Sequence, residues 1–431
     1  MKRLILLAMA VFLVLGWKTT LDELREKPAV YQQLVEEGER YEENKIFVRA
    51  IETYKKALEY NPGSLDLELR IAADYLALGD ESSFVNRCNA VNEAQNYPVP
   101  VTVMLADYYM EGNRNEKAID VIQKARSYHK ENADLEERFE KLKYTYRNLY
   151  ISYDEIGSFC GGSAVVKSED LYGLVNSKGK MLLKCTNDWN GILSDDGTVI
   201  PVFKNDEYYL VNEDGYRVEV PGKEQKIEEL GNFCGGSAPV RIGGKYGYIN
   251  SKFEELTSFE WDGATVIKDG IGAVKKGDKW ALIDKSFQLI TDYIYDDVIT
   301  DEYGCCFSKG RAFVKTEGGY RMVDKKGGFV GEAAFEDAAL FQTEQPGAVK
   351  QNGTWGFADL DGQMVIEPQY EEAGSFSNGL APVKTLSGWG YINLSNQTAI
   401  EGEFLEARSF YEGTAPVKNG NQWTLIELNV K

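Results

Sequence analysis

The chain has 431 residues, of which 43% are hydrophobic and 27% charged, with a formal net charge of −20. That length exceeds one ordinary core and calls for two or more folded units, and the composition is that of a folded protein. The acid excess argues against a nucleic-acid partner, because phosphate binding needs a basic surface, and it leaves basic proteins, cations and uncharged ligands open.

The N-terminus reads "MKRLILLAMAVFLVLGW", two basic residues followed by an apolar run from Leu4 to Trp17. The run is short for a spanning helix and matches the apolar part of an export signal. No A-x-A cleavage site follows it, and Trp17 stands where a lipoprotein signal needs Cys. Residues 1–20 are therefore read as an uncleaved signal-anchor, with a cleaved signal peptide as the alternative. Lys2 and Arg3 would stay cytoplasmic. The expected location is extracytoplasmic, tethered to the cytoplasmic membrane by this segment, or secreted if it is cleaved.

Residues 30–131 carry apolar and small residues at helical spacing. Leu34, Gly38 and Tyr41 mark one helix, and Ala50, Tyr54 and Ala57 a second, which Pro62 ends. The pattern returns with Ala72 and Tyr75, where Phe84 and Cys88 replace the small and aromatic residues of the second helix. It returns again with Ala106, Tyr109, Ala118 and Ala125. Tyr41, Tyr75 and Tyr109 lie 34 residues apart. This resembles the tetratricopeptide repeat, a helix-turn-helix of about 34 residues, and the resemblance implies protein–protein binding without chemistry. Residues 132–149 read as a capping helix. The first helices of the pairs would line one face carrying Glu39, Glu42, Glu43, Asp107 and Glu111, a candidate acidic groove for a peptide, or a plain solvated surface.

From residue 150 to 431 a different phrase recurs: "FCGGSAPVRIGGKYGYIN" at 233–250, "FSNGLAPVKTLSGWGYIN" at 376–393 and "FYEGTAPVKNGNQWTLIE" at 410–427. Its aromatic falls at Tyr172, Tyr209, Tyr246, Trp280, Tyr320, Trp355, Trp389 and Trp423, each five residues after a Lys or Arg. Ala381 to Lys384 alternates in and out, as does Trp389 to Asn393, so each phrase is two strands joined by a tight turn. Glycine within the second strand marks close approach by another chain segment. Turn signals such as "NEDG" and "DLDG" follow, then a third strand ending in a second aromatic column of Trp189, Trp261, Tyr295, Phe335, Tyr370 and Phe404. Paired acids come next, as in Glu336-Asp337 and Glu371-Glu372, and read as solvated. The units resemble the WG repeat, named for the pair seen as Trp355-Gly356 and Trp389-Gly390. That family is common in bacterial proteins and implies no established activity.

The expected fold is therefore two repeat modules: an all-α tetratricopeptide-like solenoid, then an all-β array of about eight WG-type units, either a propeller-like ring or an open β-solenoid. The array begins and ends out of phase. Residues 148–153 occupy the place of a third strand without a unit, and the last unit stops at Lys431 without one. Pairing 148–153 with the strand at 423–430 would join two otherwise exposed edges and close the ring.

No catalytic constellation stands out. The one histidine, His129, lies on a predicted helical surface near the end of the third repeat, and no H-E-x-x-H, phosphate loop or dinucleotide fingerprint occurs. The acidic turns lack calcium-loop spacing and suit hairpins instead. The six cysteines contain no C-x-x-C, and Cys160 and Cys234 share one position in two units, a turn. The chain is accordingly expected to be non-enzymatic, with no cofactor and no metal. It reads as an exported or membrane-tethered interaction scaffold for protein or peptide partners. The alternative is a cell-envelope carbohydrate binder that uses the aromatics of the β-module, which otherwise form its packing between units.

Overall fold

The computed structural model describes residues 28–219 and 226–430, so the basic-apolar segment at 1–20 lies outside the described residues. The chain divides into two packed units between Lys143 and Tyr144. Among the described residues no helix is long and apolar enough to cross a membrane.

The first unit consists of α1 (28–43), α2 (Phe47–Tyr60), α3 (Leu65–Ala77), α4 (Glu81–Ala94), α5 (Val99–Glu111), α6 (Asn115–Tyr128) and α7 (Ala133–Leu142). Three helix pairs follow one another at the 34-residue period, and α7 covers the last. Gly38 is required by the close approach of α1 to α2: a Cβ there would lie 2.3 Å from a carbon of the Tyr54 ring. In the middle pair Phe84 and Cys88 are both fully buried, and Phe84 meets Tyr108 edge-on at 4.9 Å. A ring thus stands where the other pairs have a small residue, and a thiol where the first pair has the Tyr54 ring. Asp80 caps α4 by accepting the Ser83 N–H, and Asn132 caps α7 by accepting those of Asp134 and Leu135. The cap is shorter than the sequence suggests. It ends at Leu142, and Tyr146–Asn148 is already a strand.

The second unit is eight small antiparallel sheets, here blades 1 to 8, spanning 155–187, 189–218, 229–249, 263–284, 297–335, 337–370, 373–404 and 406–428. Each opens with a short inner strand and continues through a hairpin. In most blades an outer strand follows, and the chain then steps directly into the next blade. The glycine of the Trp-Gly pair has a physical reason. A Cβ at Gly356 would lie 2.6 Å from the Ile366 carbonyl, and one at Gly390 2.5 Å from that of Ile400, because the outer strand bulges inward there. In blade 5 Arg321 pairs directly with Ala334, so a side chain fits.

The blades close into a ring. A buried apolar cluster fills every junction between consecutive blades. Between blades 7 and 8, for example, Tyr391 and Phe404 meet Val417 and Ile426. The eighth cluster joins the last blade to the first, with Trp423 and Leu425 against Ile156, Val166 and Val175. The strand Tyr146–Asn148 forms the outer strand of blade 8, pairing Tyr146 with Leu428 and Asn148 with Ile426. Leu149 N–H then donates to the Leu425 carbonyl, and Tyr153 and Trp423 exchange both bonds. The expected closure holds and starts two residues earlier than the sequence placed it.

Blade 2 corrects the repeat register. Phe203 pairs with Tyr208 and Val202 with Tyr209, just as Lys384 pairs with Trp389 and Val383 with Gly390. Tyr208 is therefore the column aromatic, and Tyr209 stands in the glycine position. Trp189 likewise leaves the second column. Tyr172 pairs with Asn187 where Trp389 pairs with Phe404, so Asn187 holds the aromatic's place. The paired acids are exposed, as in Glu336-Asp337 and Glu371-Glu372, and several acids after the outer strands are also fastened. Asp154, Asp262 and Glu336 accept the N–H of Glu169, Gly277 and Gly353 in the hairpin turns. Glu372 and Glu406 meet Lys384 and Lys418, each at 2.6 Å.

Candidate functional site

Arginines tie three of the acidic residues on the first helices to neighbouring helices. Arg70 of α3 reaches Glu39 at 3.1 Å and Glu42 at 2.9 Å on α1. Arg138 of α7 grips Asp107 of α5 with two bonds of 2.7 and 2.8 Å, the bidentate geometry that suits a guanidinium. Glu42 also accepts the Tyr54 hydroxyl at 2.7 Å. Glu39, Glu42 and Asp107 thus brace the stack, while Glu43 and Glu111 are exposed.

On α3 Asp74 is 2% exposed, and its Oδ2 has no hydrogen-bond partner among the described residues. Burial, and secondarily the Glu42 charge, push its carboxyl up to about 6, with Arg70 pulling the other way. Sequence reasoning missed Asp74, which reads as one more polar residue between Ala73 and Tyr75.

In the β-unit the column aromatics sit at the blade junctions. Trp423 is 3% exposed, whereas Tyr172, Tyr208, Tyr246, Trp280, Tyr320, Trp355 and Trp389 are half-buried. The deepest positions belong to the residue two further on, Tyr248, Phe357 and Tyr391 among them.

The ring interior is occupied by a loop of blade 5. Trp280 and Tyr320 are 40 residues apart, and the extra chain runs inward at 300–305. Its Gly304 carbonyl accepts the Val266 N–H of blade 4. The Tyr303 hydroxyl donates to the Ser158 carbonyl of blade 1 at 2.5 Å, and its carbonyl accepts Asn232 of blade 3 at 2.9 Å. Glu302 accepts the Ser158 N–H and stands 3.7 Å from Arg408 of blade 8. Nearby, Lys268 Nζ lies 3.6 Å from Cys160 Sγ. Burial holds the thiols of Cys160 and Cys305 above the usual range and pushes Cys234 up to about 11. Burial works against the Lys268 charge, and the Asp301 carboxylate favours it. Thiols so raised stay protonated at neutral pH and are poor nucleophiles. His129 ends α6 with its ring against the Asn96 carbonyl at 3.1 Å.

The model of the WG containing repeat matches residues 246–280, 355–386 and 389–423. Each match starts at a column aromatic and runs out of one blade into the next, so the sequence repeat and the blade are out of phase, and closure needs a strand from the other end. No curated protein matches the chain. Among solved structures, one of a eukaryotic initiation factor is similar at 10% identity over 64% of this chain and 85% of that one, with a TM-score of 0.41. Hsv2 of Kluyveromyces marxianus is similar at 12% identity over 56% and 98%, with a TM-score of 0.35. The first TPR of Spaghetti bound to an HSP90 peptide is similar at 17% identity over 26% and 88%, with a TM-score of 0.22.

Proposed function

We propose that this WG-repeat chain, with its tetratricopeptide-like helical unit, is a non-enzymatic interaction scaffold whose helical face receives a peptide or protein segment bearing basic residues. The observation behind this reading is the division of labour on that face: Glu39, Glu42 and Asp107 are held by Arg70 and Arg138, which leaves Glu43 and Glu111 as outward charges on a braced surface. Rim charges of this kind steer a partner and set its orientation more than they set raw affinity. We read the protein as exported and held at the cytoplasmic membrane by its N-terminal segment. That reading rests on Lys2, Arg3 and the apolar run alone.

Crosslinking and capture from native membranes tests the scaffold reading. A partner should be recovered by the wild type and lost when Glu43 and Glu111 are both changed to Lys. Equal recovery by the two forms would refute the role of this face. A C-terminal reporter fusion tests the location, and a signal from the cytoplasmic side would overturn it.

A further inference from the structure

The eight blades serve as controls for one another, and one junction departs from the rest. The second residue of each inner strand faces a valine: Ile156, Leu230, Ala264, Val298, Ala338, Ala373 and Ala407 are apolar there. Blade 2 alone has a polar residue, Asn190 opposite Val202. The neighbouring positions depart too. Trp189 pairs with Phe203 where Glu155 pairs with Lys167 and Glu406 with Lys418. Asn187 replaces the aromatic opposite the column. Three departures side by side in a regular repeat point to selection for something other than packing.

Asn190 is 1% exposed. Its Nδ2 donates to the carbonyls of Gly173 at 3.2 Å and Gly191 at 2.9 Å, which fixes the amide's orientation. Its Oδ1 is left without a partner among the described residues, a costly condition for a buried acceptor. Beside it lies a cavity of about 210 Å³ between blades 1 and 2, lined in part by Glu155, Gly157, Tyr172, Trp189, Asn190 and Glu302.

The adjoining junction, between blades 8 and 1, shows what such a space holds. Arg408 occupies the position in blade 8 that Gly157 occupies in blade 1, directly after the apolar residue of the inner strand. Its guanidinium lies 4.9 Å from the Trp423 ring centre, and its Nε donates to the Ile156 carbonyl at 2.8 Å. Glu155 and Glu302 stand 3.8 and 3.7 Å away. One blade on, Tyr172 takes the place of Trp423 and Asn190 that of Ile156. No side chain can enter from position 157, because a Cβ there would lie 2.8 Å from the Tyr303 hydroxyl. Lys167 does not bar a second cation: it is paired with Asp170 at 2.8 Å, and Lys418 stands in the same register beside Arg408.

We propose that this cavity binds a guanidinium group brought by another molecule. The planar cation lies against Tyr172 and Trp189, donates to the unpartnered Asn190 Oδ1, and is balanced by Glu155. A flat, weakly hydrated cation with several fixed donors meets an aromatic wall and convergent acceptors better than a compact ammonium does. The inference is independent of the helical face and survives if Glu43 and Glu111 prove irrelevant.

The test is calorimetric titration of the full chain with L-arginine, N-acetyl-arginine amide and N-acetyl-lysine amide. At least one arginine probe should bind one-to-one, with the lysine probe weaker by roughly tenfold or more. Equal binding of free and blocked arginine assigns the group to a partner's polypeptide; binding of free arginine alone assigns it to a small metabolite. Asn190→Leu restores the repeat's apolar residue and should weaken the arginine probe roughly tenfold or more while the melting temperature does not fall. Glu155→Gln, at an exposed site, should weaken it several-fold, and keeps the test decisive should Asn190→Leu misfold. Absence of saturable arginine binding, equal binding of lysine and arginine probes, or wild-type affinity in a folded Asn190→Leu or Glu155→Gln protein overturns the proposal.

Discussion

Replacing Asp74 with Asn should stabilise the helical unit, and only at neutral and alkaline pH. The carboxyl is 2% exposed with an unpartnered Oδ2. Burial first and Glu42 second raise it from the ordinary 3.8 to about 6, while Arg70 opposes them. The folded chain therefore holds the Asp74 proton to higher pH than the unfolded chain does. Below about pH 4 both states are protonated and the group is neutral in effect. As the pH rises towards 6 the folded state comes to bear a penalty that the unfolded state does not, so stability falls across this window. At 1.36 kcal/mol per pKa unit the full penalty is about 3 kcal/mol. Asn keeps the shape and one polar group in place, so about 1–3 kcal/mol should be recovered at pH 8 and close to none at pH 4. The helical circular-dichroism signal followed through urea unfolding at the two pH values measures this difference. A variant that is destabilised at pH 8, or whose effect is the same at both values, would refute the reasoning.

Three further outcomes are expected. Trp423→Ala, at a 3% exposed position that joins the first and last blades, should cost about 3–5 kcal/mol in denaturant unfolding, and Trp389→Ala, half-buried, should cost clearly less. Gly390→Ala should lower the melting temperature, because its Cβ meets the Ile400 carbonyl at 2.5 Å and the outer strand must move; the same change at Gly353, which has open space but a φ of +80°, should act through the turn alone, by about 1 kcal/mol. Arg70→Ala should destabilise the helical unit, since it releases Glu39 and Glu42 together and removes the one cation that moderates Asp74, an effect that should shrink at pH 4.

Much of this architecture is legible in the sequence, because repeats state their period many times over. The tyrosines at 34-residue spacing mark the helix pairs, and Gly38 shows where α1 and α2 touch. The surplus strand at 148–153, which belongs to no preceding unit, points to the closure. What escaped reading are the places where one unit departs from its neighbours. In blade 2, Tyr208-Tyr209 offers two aromatics, and Lys204, five residues before Tyr209, points to the wrong one; the strand pairing sets Phe203 opposite Tyr208. Trp189 suits the second column by residue type but sits two positions past it, where Asn187 stands opposite Tyr172. The acids after the outer strands are exposed, as charge usually is, but some also accept backbone N–H groups of a turn some fifteen residues away, which no periodicity displays. The cap ends early because Tyr146–Asn148 is claimed by the strand Gln422–Leu428, nearly three hundred residues on. Asp74 and Asn190 were invisible for a common reason: an unpartnered buried polar atom is a property of packing, and the sequence shows only its residue type.

The closed ring is tested most directly by amide hydrogen exchange at the seam. The N–H groups of Leu149, Tyr153 and Trp423 bond across it, to the carbonyls of Leu425, Trp423 and Tyr153 respectively. In a closed ring these amides exchange only as the β-unit opens as a whole, with protection equal to that of Val383 or Val417 in the interior hairpins. Exchange at the seam as fast as at a frayed end, with the interior hairpins still protected, would show that blades 8 and 1 are not joined and that the array is open.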